Sequence, residues 1–147
     1  TAMINKSTVA AVRQKTPKSL IMPCGGLDNS SITDNPMLSG KPYADAHNLR
    51  CNYPQSYSVM GIWGKLLASP LIFNILWKPE EYLAGQGSPG HWVVVAAVMT
   101  GRSYAPSDAM ILIHDPYPRY KGSIRPFWYN MWMAEHMTGT FRVFERR

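Results

Sequence analysis

The chain has 147 residues, 46% hydrophobic and 16% charged, which is the composition of one globular domain and excludes an intrinsically disordered segment. A formal net charge of +6 does not by itself make it a nucleic-acid binder, because the lysines and arginines are scattered and no basic run is interleaved with aromatics as a stacking platform. The longest apolar run, Leu71 to Trp77, is strand-sized, so no membrane span is expected.

Met3 to Gln14 carries apolar residues at Met3, Ile4, Val9, Ala10, Ala11 and Val12 among polar ones, which predicts a helix of about three turns ending before Pro17. Thr16 to Pro54 is rich in Pro, Gly, Asn and Ser and reads as loop, with short helices expected near Ile32 to Leu38 and Ala44 to Leu49. Val59 to Ala68 is expected to be a short helix. Beyond Pro70 the pattern becomes that of strands. They are predicted at Leu71 to Trp77, His91 to Val98, Met110 to Asp115 and Thr138 to Phe144, with a Gly/Pro-rich turn from Ala84 to Gly90. A helix followed by antiparallel strands is an α+β pattern, without internal repeats or low-complexity tracts. The chain opens on Thr1 and shows no basic-then-apolar signal segment. The expectation is a single domain, residues 1–147, excised or processed from a longer chain.

Two residues stand out for chemistry. Gly90-His91-Trp92-Val93-Val94-Val95 places a histidine at the start of a buried strand, and Ile111-Leu112-Ile113-His114-Asp115-Pro116 ends another in an acid. Antiparallel pairing brings the start of the first beside the end of the second. His91 and Asp115 then meet at one rim of the sheet as a base and its orienting acid. The carboxylate accepts from one ring nitrogen and leaves the other free to deprotonate a nucleophile. Pro116 ends the ladder, having no N–H to donate. Taken singly, a histidine at a strand end is more often a surface hydrogen-bonding residue, and Asp-Pro is a common turn opener. Only the two together, at this order and placement, point to chemistry.

Together with Gly122 and Trp128, these segments resemble the C-terminal half of papain-like cysteine peptidases. The likeness is to compact bacterial branches such as bacteriocin-processing peptidase domains and the cysteine-protease effectors of plant pathogens. It covers about Leu66 to Arg147. The spacing of 24 positions (115 − 91) is long for the compact forms, with Thr100 to Asp108 reading as an insertion. The resemblance implies a papain-like α+β fold, an N-terminal helix packed on a twisted antiparallel β-sheet with the site in the cleft between them. It implies cysteine peptidase chemistry without metal or cofactor, a peptide or protein substrate, and an inhibitor or immunity protein as a further partner. A secreted or cell-delivered effector, toxin or self-processing protein is the implied setting. Deamidase or other amide chemistry, and a catalytically dead domain that binds peptides or a partner protein, are the alternatives.

In such families the nucleophilic cysteine opens a long N-terminal helix, where the dipole favours the thiolate. Here that helix would begin Thr1-Ala2-Met3, without a cysteine. Substitution at Ala2 is the favoured explanation and Thr1 the second position; a chain starting just after the nucleophile is the other. The chain is expected to be inactive as it stands. Cys24 and Cys51 are the only cysteines, and neither opens a predicted helix or has zinc-site spacing. His114 is expected on the face opposite Asp115. Glu135-His136 is a weak metal signal, and Trp92, Trp128 and Trp132 read as core.

Overall fold

The computed structural model describes residues 1–20, 41–52, 56–86, 90–117, 121–136 and 143–147. Within them the chain forms α1 (Val9–Lys15), α2 (Lys41–Ala46), β1 (Leu49–Cys51), α3 (Val59–Leu66), β2 (Leu71–Leu76), α4 (Pro79–Leu83), β3 (Gly90–Thr100), β4 (Ala109–Asp115), β5 (Ser123–Trp128), α5 (Tyr129–His136) and β6 (Val143–Arg146). The six strands make one antiparallel sheet in the order β1-β6-β2-β3-β4-β5, so the architecture is α+β.

The sheet buries both faces, which explains why β2 and β3 read as near-continuous apolar runs and not as alternating ones. One face carries Leu71, Phe73, Ile75, Val93, Val95, Ile111 and Ile113. It is covered by Val59 and Ile62 of α3 and by Tyr129 and Trp132 of α5. Trp132 packs 5.7 Å from the Phe73 ring, and both are fully buried. Tyr129 is held by a 2.8 Å hydrogen bond from its hydroxyl to the Tyr57 carbonyl, and burial pushes its phenol up to about 12. The other face carries Ile72 and Phe144, covered by Ile4 of the N-terminal segment and Ala44 of α2 with Leu49 alongside, and the tilted rings of Trp92 and Phe144 meet there with centroids 4.7 Å apart.

The first helix differs from the expectation. Residues 2–6 form turns, with Asn5 N donating to the Thr1 carbonyl and Ser7 N to that of Ala2, and Lys6 adopts a left-handed φ of 48°. Helix starts only at Val9, because Thr8 is the N-cap and its hydroxyl accepts from Ala11 N. Helix α1 buries no side chain, so the sheet is not covered by an N-terminal helix but by α3 and α5 on one face and by Ile4 and α2 on the other. The helix expected at Ala44 to Leu49 lies earlier, at Lys41–Ala46, and Leu49 begins an edge strand instead. Of the last predicted strand, residues 138–142 lie outside the described residues, as do Ile32 to Leu38; β6 runs from Val143.

Strands β3 and β4 form one long hairpin, closed by the Gly101 N–H to Asp108 carbonyl bond, so residues 101–108 are its connection and Thr100 ends β3. Its register runs Thr100↔Ala109 to Ala97↔Leu112 and then shifts, with Val95↔Ile113 and Val94↔His114. Ala96 is thus the extra residue of a β-bulge.

Candidate functional site

His91 is the second residue of β3 and Asp115 the last of β4. His91 stands opposite Ile75 of β2 and shares the face of Val93 and Val95. On β4, Ile111, Ile113 and Asp115 share a face, and continuing the register past Val94↔His114 sets Asp115 opposite Val93. His91 and Asp115 are therefore diagonal neighbours across the two strands, within reach of long side chains. His91 Nε2 lies 2.6 Å from Asp115 Oδ1, and the two side chains are 17% and 15% exposed. A carboxylate only accepts, so Nε2–H is the donor and, in the neutral ring, Nδ1 is the acceptor. Among the described residues nothing hydrogen-bonds to Nδ1.

The bulge at Ala96 is what makes this meeting possible. Had the register of the hairpin end continued without it, Asp115 would stand opposite Val94, on the face of Trp92, and His91 would point the other way. Asp115 is further fixed by its own turn: its Oδ1 accepts from Tyr117 N at 2.8 Å. Gly122, at φ +61°, closes the β4–β5 turn so tightly that a Cβ there would stand 2.9 Å from the Asp115 carbonyl oxygen.

Three aromatic side chains not foreseen from the sequence complete the surroundings. Trp77, one residue past β2, stacks on His91 with centroids 4.9 Å apart and planes 23° apart. Tyr117 and His136 meet the same indole edge-on, at 6.4 and 6.0 Å. The signal for Trp77 was present: it has the parity of Phe73 and Ile75, and hence of His91 across the ladder. His136 donates from Nδ1 to the Leu76 carbonyl at 3.1 Å, which anchors the end of α5 to the end of β2. The indole covers one side of the imidazole, where it limits water access to the Nε2–Oδ1 bond.

Ala2 is not brought to this pair. It lies in the N-terminal turn, ahead of the helix, so no helix dipole acts on it. The neighbouring Ile4 packs against Ile72 and Phe144, on the sheet face opposite His91. Thr1 shares that region, its hydroxyl 2.6 Å from the Tyr43 hydroxyl. Cys51 belongs to the edge strand β1, packs with Ile4 and Phe144, and lies three strands from β3 on the same opposite face. Cys24 lies outside the described residues. His114 pairs with Val94 and so faces away from Asp115, as alternation requires. Among the described residues no group of three or more His, Cys, Asp or Glu side chains is placed to hold a metal ion, Glu135 and His136 included, and no helix is long and apolar enough to cross a membrane.

No family model, curated protein or solved structure matches this chain.

Proposed function

We propose that this domain carries the base and orienting acid of a papain-like, thiol-dependent amide hydrolase, a cysteine peptidase acting on peptides or proteins. The observation behind the reading is the half-buried His91–Asp115 pair, with Nε2 engaged at 2.6 Å and Nδ1 left without a partner among the described residues. In the reaction a cysteine thiolate adds to the amide carbonyl, and His91 takes the thiol proton at Nδ1 and returns it to the leaving amine. Water then releases the acyl group with His91 as base. Asp115 holds the ring in the tautomer that frees Nδ1, and Trp77 keeps the pair partly dry. Neither step requires a metal or an organic cofactor.

A second reading is a catalytically dead relative that binds peptides or a partner protein. It is favoured by one observation, the placement of Ala2 on the side of the sheet away from His91. The two readings separate in one set of assays under reducing conditions. The native chain and His91→Ala are tested for cleavage of a mixed fluorogenic peptide set and for ammonia release from glutamine peptides. Peptide cleavage lost in His91→Ala supports the peptidase, and ammonia release lost in the same variant supports a deamidase. Silence of the native chain in both assays, with retained peptide binding, supports the dead domain. Hydrolysis that survives His91→Ala refutes the base assignment.

A further inference from the structure

On the far side of the sheet from His91, a groove of about 260 Å³ opens between the N-terminal segment, α1 and the α2–β1 junction. Two cations line it, Lys15 at the end of α1 and Arg146 on β6. Arg146 stands opposite Leu49, so its side chain leaves the sheet on the side of Ile4 and α2. Four other basic residues at this end of the fold have acidic partners, while Lys6, Arg13 and Lys18 have none among the described residues but do not line the groove. Lys41 and Arg147 both pair with Asp45, while Arg50 and Lys65 pair with Glu145. Lys15 and Arg146 have none among the described residues, and no carboxylate lines the groove there.

The remaining lining suits an oxyanion. Ser7 and Asn48 bring a hydroxyl and an amide, and Val12 gives the groove an apolar wall. His47 is 3% exposed at its base. The single proton of the Thr16 hydroxyl goes to the Val12 carbonyl at 2.8 Å, so that oxygen accepts from His47 Nε2 at 2.9 Å. This locks the ring, and burial first, then neighbouring positive charge including Lys15, lowers its pKa. The groove therefore has a neutral, rigid base beneath two unpaired cations. An arginine fork and an ammonium at one concave site are the groups that hold phosphate or carboxylate oxygens.

We propose that this groove is a binding site for a small phosphate- or carboxylate-bearing molecule, held by Lys15 and Arg146 and independent of the His91–Asp115 pair. The volume exceeds that of a bare ion, and the Val12 wall provides apolar contact for the carbon part of such a ligand. The test is titration of the full chain with inorganic phosphate and, separately, with acetate, at fixed ionic strength in a sulfonate buffer. Binding is followed by amide chemical shifts around Ser7, His47 and Asn48. Saturable binding is expected, weakened at least tenfold in Lys15→Ala/Arg146→Ala. It should be unchanged in Arg13→Ala, which removes a charge of the same helix turn that does not line the groove. If the alanine pair does not fold, Lys15→Gln/Arg146→Gln provides the same readout. Saturation by phosphate alone assigns a phosphate ligand, and saturation by both anions extends the site to carboxylates. Absence of saturation with either anion, unchanged binding in the double variant, or equal weakening by Arg13→Ala overturns the proposal.

Discussion

Replacing Gly122 with alanine tests whether the β4–β5 turn positions Asp115. Gly122 has φ +61° and Gly85 has φ +75°, so alanine at either is placed in the left-handed region, at a cost of roughly 1–2 kcal/mol. The lower entropy of the unfolded alanine chain returns about 0.4–1 kcal/mol at both positions. At Gly85 nothing lies within 4 Å of the added carbon, so Gly85→Ala should cost about 1 kcal/mol or less. At Gly122 the new Cβ meets the Asp115 carbonyl oxygen at 2.9 Å, and a backbone atom cannot swing aside as a side-chain tip does. Relief requires bending the turn, and angle or ω distortions of this kind add about 1 kcal/mol or more. Gly122→Ala is therefore expected to cost about 2 kcal/mol by urea denaturation, and to shift the amide signals of Asp115 and Tyr117. Equal costs for the two variants, or unmoved signals at Asp115, would show that the close approach does not tie Gly122 to the site.

Three further outcomes are expected. Trp132→Ala, which empties the largest fully buried side chain of the core between α5 and the sheet, should cost about 3–5 kcal/mol in the same denaturation assay. His47 has its pKa lowered in the fold, so the unfolded chain takes up a proton that the folded chain refuses. The His47 contribution to stability should hold above the ordinary imidazole value near 6.5 and fall as the pH drops below it, and His47→Gln should flatten that part of the fall in denaturation curves taken from pH 7.5 to 5. In Asp115→Ala the Nε2 proton of His91 loses its acceptor, so the slowly exchanging downfield imidazole N–H resonance expected of the native chain should be absent. Its persistence would mean that the carboxylate does not fix the tautomer.

The placement of the pair was legible to different depths. That His91 starts a strand, that Asp115 ends one and that the two strands pair head to tail followed from β-branched density, the Gly-rich turn before Gly90 and Pro116. The extent of the first helix was misjudged, because the apolar residues of Met3 to Val12 fit a helical period while Lys6 in a left-handed conformation and the Thr8 cap interrupt it. Strand β1 is three residues long and shows no alternation to read, and β5 is interrupted by Pro126, which its place at the sheet edge tolerates.

The α+β class, the strands that carry His91 and Asp115, and the rim at which they end can all be read along the chain, since period and breaker residues are local properties. Which faces the two side chains share cannot be read there. Side-chain direction reverses with every one-residue slip of register, and the slip is set by the bulge at Ala96, which carries no local sequence mark. The bulge keeps Val95 and Val98 both turned to the core under α3, and in doing so it turns Asp115 to His91. Packing likewise decided that Ile4 should cover Ile72 and Phe144, which carries Ala2 to the far face. The rim belongs to the sequence; the face belongs to the tertiary structure.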